Sequence, residues 1–267
     1  MLRLTPVVKN LLIINVVVFA LQSFTGDAVT DWLSLWKLES QSFAPYQFFT
    51  YMLAHGGIMH ILFNMLGLVF LGPILEQFWG PKRFLTFYII TGVGAGMLYG
   101  GIEYYQTRQM RVDMEQYMAA PSPDNFNVYV SDHISGFTPE FKDRIYRLID
   151  DFSDDENNPR LINDSKSAAE FIYKATLENG RMLGASGAVY GILMAFGLLF
   201  PNTELMLLFP PIPIKAKYLV LILGGIALYS GFQRNPGDQV AHFAHLGGMV
   251  FAFIMIKYWQ SQRDKFY

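Results

Sequence analysis

Six side chains in otherwise apolar stretches have types that do chemistry: His60, Asn64, Glu76, Ser186, His242 and His245. A strongly polar or ionisable group inside a membrane span costs about 2.5–3.5 kcal/mol when charged at mid-helix, so each calls for a reason. A serine hydroxyl is a weak nucleophile and needs a base to take its proton. A neutral imidazole does this near pH 7 and then hands the proton to a leaving amine. The chain contains no cysteine. Disulfides, Cys-based metal sites and a Cys nucleophile are therefore excluded, and Ser186 with a histidine is the most economical pairing.

Acyl transfer also needs donors for a developing oxyanion. His60 and Asn64 stand at i and i+4, so both project from one helix face. Together with the backbone N–H of Ser186 they suit that task. Tyr190, at i+4 from Ser186, is placed to pack on the His245 ring. No carboxylate shares their level, so a Ser–His dyad is expected and not a triad. The strand-borne G-x-S-x-G elbow of soluble hydrolases does not fit. Here the run is Gly184-Ala185-Ser186-Gly187-Ala188, and no strand precedes it.

These residues need elements to hold them. Hydrophobic residues make up 52% of the 267, and charged ones only 16%, against roughly 25% in soluble domains. Stretches of about 20 apolar residues are long enough to cross a bilayer. Six approach this length: 7–24, 57–77, 84–102, 183–200, 217–232 and 240–258. The fold class is thus an all-α polytopic membrane protein. No cleavage pattern follows Leu11 to Phe24, which is read as a retained first span. The second span opens after a turn-like His55-Gly56-Gly57. The link at 201–216 carries Pro201, Pro210, Pro211 and Pro213 and is not helical throughout.

If the even-numbered spans run the same way, His60, Ser186 and His245 fall at one depth, a turn or two below the outer surface. Small residues recur every fourth position in two of these spans: Gly187, Gly191 and Ala195, then Ala244, Gly248 and Ala252. Such rows let helices approach closely in lipid. Rows that face each other bring Ser186 and His245 together. Taken singly, His60 with Asn64 reads as a packing pair, His242 as an interfacial residue and Glu76 as a structural acceptor near an inner helix end. Trp32, Trp36, Tyr46 and Phe48 read as an interfacial aromatic belt.

Residues 103–180 differ. They hold 15 of the 22 acidic and 8 of the 20 basic residues, a local net charge of −7. This segment belongs in water, with amphipathic helices expected over 138–151 and 165–178. The chain divides into 1–102 with three spans, a 103–180 insert, and 181–267 with three more. Short-loop Lys and Arg collect on one side (Arg3, Lys9, Lys82, Arg83, Lys215, Lys217, Lys257), which predicts cytoplasmic termini and an extracytoplasmic insert. A net charge of −2 gives no basic field to attract nucleic acid.

Three segments resemble the rhomboid family of intramembrane serine proteases. His55 to Asn64, ending His60-Ile61-Leu62-Phe63-Asn64, is similar to the family's H-x-x-x-N element. Gly184-Ala185-Ser186-Gly187 with Tyr190 is similar to G-x-S-G. Ala244-His245-Leu246-Gly247-Gly248 is similar to A-H-x-x-G. The resemblance covers 1–102 and 181–267 and implies a six-helix bundle with a cavity open to the outer side. It implies Ser186 as nucleophile, His245 in preference to His242 as base, His60 and Asn64 as oxyanion donors, and Gly184 as a backbone contributor beside Ser186. It further implies membrane-protein substrates in the lipid bilayer, no cofactor and no metal; a bacterial inner membrane is the expected location. A catalytically silent family member that binds client helices is the alternative, and a proton-relaying transporter is disfavoured because neither inverted repeats nor broken helices carry the site. Tyr46-Gln47 stands where many members carry Trp-Arg, and the family's usually short third loop is here the long acidic segment.

Overall fold

A computed structural model describes residues 4–207, 211–233 and 241–263. In chain order the elements are α1 (Pro6–Thr25), α2 (Asp27–Leu33), α3 (Gln47–Thr50) with a 3-10 turn at Tyr51–Leu53, α4 (Ile58–Trp79), α5 (Pro81–Ala119), α6 (Pro123–His133), α7 (Pro139–Asp154) and α8 (Pro159–Glu178). Then follow α9 (Ser186–Leu199), strands β1 (Glu204–Met206) and β2 (Pro213–Lys215), α10 (Ala216–Gln233) and α11 (His242–Arg263). The expected all-α bundle is present. A small departure is the antiparallel β1–β2 hairpin, which pairs Glu204 with Lys215 in the Pro-rich link.

Local chemistry sets the helix starts. Proline opens α1, α5, α6, α7 and α8, where its missing N–H is no loss and its fixed φ suits the first turn. Ser122, Thr138 and Asn158 accept backbone N–H groups at the starts of α6, α7 and α8. Gly80, at φ +82, turns the chain between α4 and α5. The start of α1 is capped from elsewhere. Glu76, buried at the end of α4, accepts from the Val7 N–H at 3.0 Å, the Val8 N–H at 3.0 Å and the Thr5 hydroxyl at 2.5 Å. Its charge meets the positive end of the α1 dipole. The structural acceptor read from the sequence is thus the clasp that joins two spans.

Helices α1, α4, α5 and α10 are long and apolar enough to cross a bilayer. Helix α9 has 14 residues, a rise of about 21 Å against a hydrocarbon thickness of about 30 Å. It does not fill the expected 183–200 stretch, because Met182–Ala185 are non-helical. Irregular backbone at membrane depth survives only where protein or a cavity surrounds it. Here Met182 and Leu35 exchange backbone hydrogen bonds at 2.8 and 2.9 Å, and the Gly184 N–H donates to the Tyr51 carbonyl at 2.9 Å.

Helix α9 lies in the middle of the bundle, against α4, α5, α10 and α11. The two small-residue rows meet at Gly187, Ala244 and Gly248. A Cβ on Gly248 would sit 1.9 Å from the Gly187 carbonyl oxygen, whereas one on Gly191 would strike Thr91 of α5 at 2.8 Å. The first row therefore serves two neighbours and not α11 alone, because α9 is hemmed in from several sides.

Among the described residues the apolar core falls into two clusters. One fills the membrane bundle, around Tyr51, Leu68, Phe87, Ala188 and Ile192. The other lies between the C-terminal part of α5 and helices α6–α8, around Tyr117, Phe126, Tyr129, Ile149 and Ile172. Helices over 139–154 and 159–178 match the two expected amphipathic stretches. The boundary at 102/103 is not a break: α5 runs unbroken through 39 residues from the bundle into the second core.

The loop between α2 and α3 is fixed by Gln47, which is 1% exposed. Its side chain accepts from the Trp36 N–H at 3.3 Å and donates to the Ser42 carbonyl at 2.9 Å. The second residue of Tyr46-Gln47 thus staples the loop. The aromatic belt is smaller than expected. Trp32 and Tyr46 are exposed and in contact at 5.5 Å, but Phe48 turns inward against Gly96 and Gly100, because those glycines leave room for its ring.

Candidate active site

Ser186 is the first residue of α9. Its backbone N–H therefore belongs to the first turn, where helical N–H groups lack intrahelical partners. His245 comes from the first turn of α11, and its Nε2 lies 2.9 Å from the Ser186 Oγ. The Gly187–Gly248 contact, one residue beyond Ser186 and three beyond His245, makes this distance reachable. With a side chain at Gly248 the helix axes could not come so close.

The His245 ring is 8% exposed and lies flat on Tyr190, centroids 4.0 Å apart and planes 7° apart. Its Nδ1 has no hydrogen-bond partner among the described residues. Stacking therefore orients this ring, where a triad would use a carboxylate. His242 lies edge-on to His245 at 6.1 Å, one turn nearer the helix start.

His60 stands on α4 beside the segment that leads into Ser186. Gly184 has φ +116, and a Cβ there would lie 2.5 Å from the His60 Nε2. Only glycine both adopts this backbone conformation and leaves room for the ring. The Gly56 N–H points at the His60 Nδ1 from 3.3 Å. With Nδ1 accepting, the neutral ring carries its proton on Nε2 and presents a donor toward Gly184. Asn64 is buried one turn deeper, and its Nδ2 donates to the His60 carbonyl at 2.8 Å. In this state the amide is engaged with its own helix. Gly67, on the same face, seats Val189 of α9: its Cβ would meet that side chain at 2.6 Å.

The structure thus brings together Ser186, His245, Tyr190, His60 and Gly184, with Asn64 behind His60. Three supports were not legible in the sequence. The Leu35–Met182 pairing is backbone chemistry and leaves no side-chain signature. His55, read as part of a turn and as the start of the His55–Asn64 segment but given no role, is 2% exposed and meets the His60 ring at 5.2 Å. Its backbone is held by Gln22, which accepts the His55 N–H at 3.0 Å and donates to the His55 carbonyl at 3.3 Å. Arg181, five residues before Ser186, forks to Asp27 and Asp31 of α2.

A helical membrane bundle that opens a short central helix on a hydroxyl, with an imidazole at hydrogen-bond distance, defines a narrow class of integral membrane proteins. The family model for the Rhomboid domain matches residues 42–114 and 165–261, and the chain belongs to the rhomboid family. The stretch 115–164, which includes α6 and α7, lies outside both matched segments. The chain is similar to the rhomboid protease GlpG of Photorhabdus laumondii, 30% identical over 92 residues, covering 34% of this chain and 32% of that protein. It is similar to GlpG of Klebsiella pneumoniae, 32% identical over 95 residues, covering 35% and 34%. RHOMBOID-like protein 1 of Arabidopsis thaliana is 42% identical over 53 residues, covering 20% and 14%. The chain thus spans about a third of the length of the GlpG relatives it matches.

Proposed function

We propose that this protein is a serine endopeptidase that hydrolyses peptide bonds in or near the transmembrane helices of membrane-protein substrates. The observation that carries the reading is the 2.9 Å approach of the His245 Nε2 to the Ser186 Oγ. In this mechanism the Ser186 Oγ attacks the scissile carbonyl carbon and its proton passes to the His245 Nε2. The tetrahedral oxyanion is met by the Ser186 N–H and the His60 Nε2–H. Asn64 joins them after its amide releases the His60 carbonyl. The C–N bond breaks as His245 protonates the amine. Water, deprotonated by the same ring, then frees the acyl group from Ser186. Tyr190 holds the imidazole plane, and Gly184 leaves the space that the His60 ring occupies.

A peptide bond in an intact helix is shielded by its own hydrogen bonds, so substrates with Gly, Ala, Ser or Pro near the cut are favoured. Both termini are cytoplasmic in this reading. Residues 103–180 form an extracytoplasmic insert, and the membrane is the bacterial inner membrane.

The test is cleavage of a single-span substrate in proteoliposomes. Wild type is expected to cut it, and Ser186→Ala and His245→Ala to lose essentially all activity at equal expression. Undiminished cleavage by Ser186→Ala would overturn the assignment.

A further inference from the structure

The segment just before Ser186 tolerates little displacement. Gly184 and the His60 ring are already at the limit of approach, and a shift of about 1 Å at a reacting centre costs as much as 100-fold in rate. What fixes this segment is therefore part of the site. Met182 is held by two backbone bonds to Leu35, and Gly184 by one to Tyr51. Both partners lie in the chain between α2 and α4, so the segment is only as well placed as that loop.

One side chain ties the two together from outside. The Arg181 guanidinium reaches Asp27 through its Nη2 at 2.8 Å and Asp31 through its Nη1. It also lies over the Trp36 ring, 5.7 Å from the centroid. The Trp36 indole N–H donates to the Asp31 carbonyl at 2.8 Å, which closes the cluster. Arg181 is the only charged residue between Glu178 and Glu204. It lies outside the three motif segments and touches neither Ser186 nor His245.

We propose that Arg181 is a positioning residue for Ser186. Resting on the hydrolase reading above, its fork onto Asp27 and Asp31 holds 182–185 in register with the loop that follows α2. It keeps Gly184 against His60 and the Ser186 N–H aimed at the oxyanion. A single exposed ion pair contributes little. A fork with a stacked aromatic face is a network, and it needs to select only among closely spaced backbone positions.

The experiment measures acylation of Ser186 by a fluorophosphonate in the full-length protein, with kcat and KM on a cleavable membrane substrate. Arg181→Gln is expected to slow acylation about 5-fold to 10-fold, to lower kcat with KM little changed, and to leave the unfolding midpoint within a few degrees. Arg181→Lys should recover part of the rate, because it restores charge without the fork. Asp27→Asn with Asp31→Asn should reproduce the loss, and adding Arg181→Gln to that pair should add nothing. Higher ionic strength should slow wild type and leave Arg181→Gln unmoved. Acylation of Arg181→Gln at the wild-type rate would overturn the proposal, as would full additivity with the aspartate pair. If Arg181→Gln fails to fold, the aspartate pair alone decides on the same readouts. A wild type that is never acylated refutes the hydrolase reading itself, and so separates the two failures.

Discussion

At the residue scale the site rests on contacts too close to absorb change. Gly184 is the sharpest case. Gly184→Ala places a Cβ 2.5 Å from the His60 Nε2 on a backbone at φ +116, a conformation that costs a non-glycine residue about 1–3 kcal/mol. The expected outcome is a fall of about 100-fold or more in cleavage rate, measured beside a circular-dichroism spectrum that stays helical. Wild-type activity would mean that the Gly184–His60 contact is not used. Ser186, His245, His60 and Asn64 could be picked out from the sequence because a polar group in an apolar stretch stands out. The state of Asn64 was not readable. A helical spacing places an amide on a face but does not say whether it points across to a neighbour or back to its own carbonyl.

At the element scale the decisive feature is a short helix held on several sides. The apolar stretches that became α1, α4, α5 and α10 were visible in the sequence because runs of about 20 apolar residues stand out. The start of α9 three residues inside its run was not, because Leu183–Ala185 are as apolar as a helix turn. Met182 and Gly184 are bonded to backbone partners at Leu35 and Tyr51, more than 130 residues away. The pairing of small-residue rows was legible in outline. That Gly191 serves α5 was not, since a row of glycines does not name its neighbour. The Gly187–Gly248 contact yields a second prediction. Gly248→Ala inserts a methyl group 1.9 Å from a backbone oxygen, and overpacking of this kind costs about 1–3 kcal/mol. The helices must part, so both the unfolding temperature and the cleavage rate should fall. Gly225→Ala, on α10, meets nothing within 4 Å and serves as the control expected to change neither.

At the scale of the whole molecule, a membrane bundle and a helical acidic unit share one helix, α5. The unit is also pinned to the loop after α2. Lys37 donates to the Thr176 carbonyl at 2.7 Å and pairs with Glu103 at 3.5 Å. Ser40 donates to Glu178 at 2.8 Å, and Glu39 meets Thr107 and Arg111. Charge segregation set 103–180 apart in the sequence. Its attachment was not legible, because it uses charges scattered over distant parts of the chain. The natural absence of cysteine makes sidedness simple to measure. In intact spheroplasts an impermeant maleimide should label Asp143→Cys and spare Lys82→Cys; the reverse pattern would invert the proposed topology. Replacing 106–176 by a short linker retains Arg181, Asp27 and Asp31. Cleavage of membrane substrates should then change more than hydrolysis of a small ester, and equal losses in both would assign the unit a purely supporting role.

The central claim is that the Ser186 hydroxyl, activated by His245, is a nucleophile. It is tested most directly by treating the purified protein with a fluorophosphonate and locating the adduct by peptide mass spectrometry. One stoichiometric adduct is expected on Ser186, absent from Ser186→Ala and formed far more slowly in His245→Ala. An unmodified Ser186 in folded protein, or equal labelling of the His245→Ala variant, would contradict it.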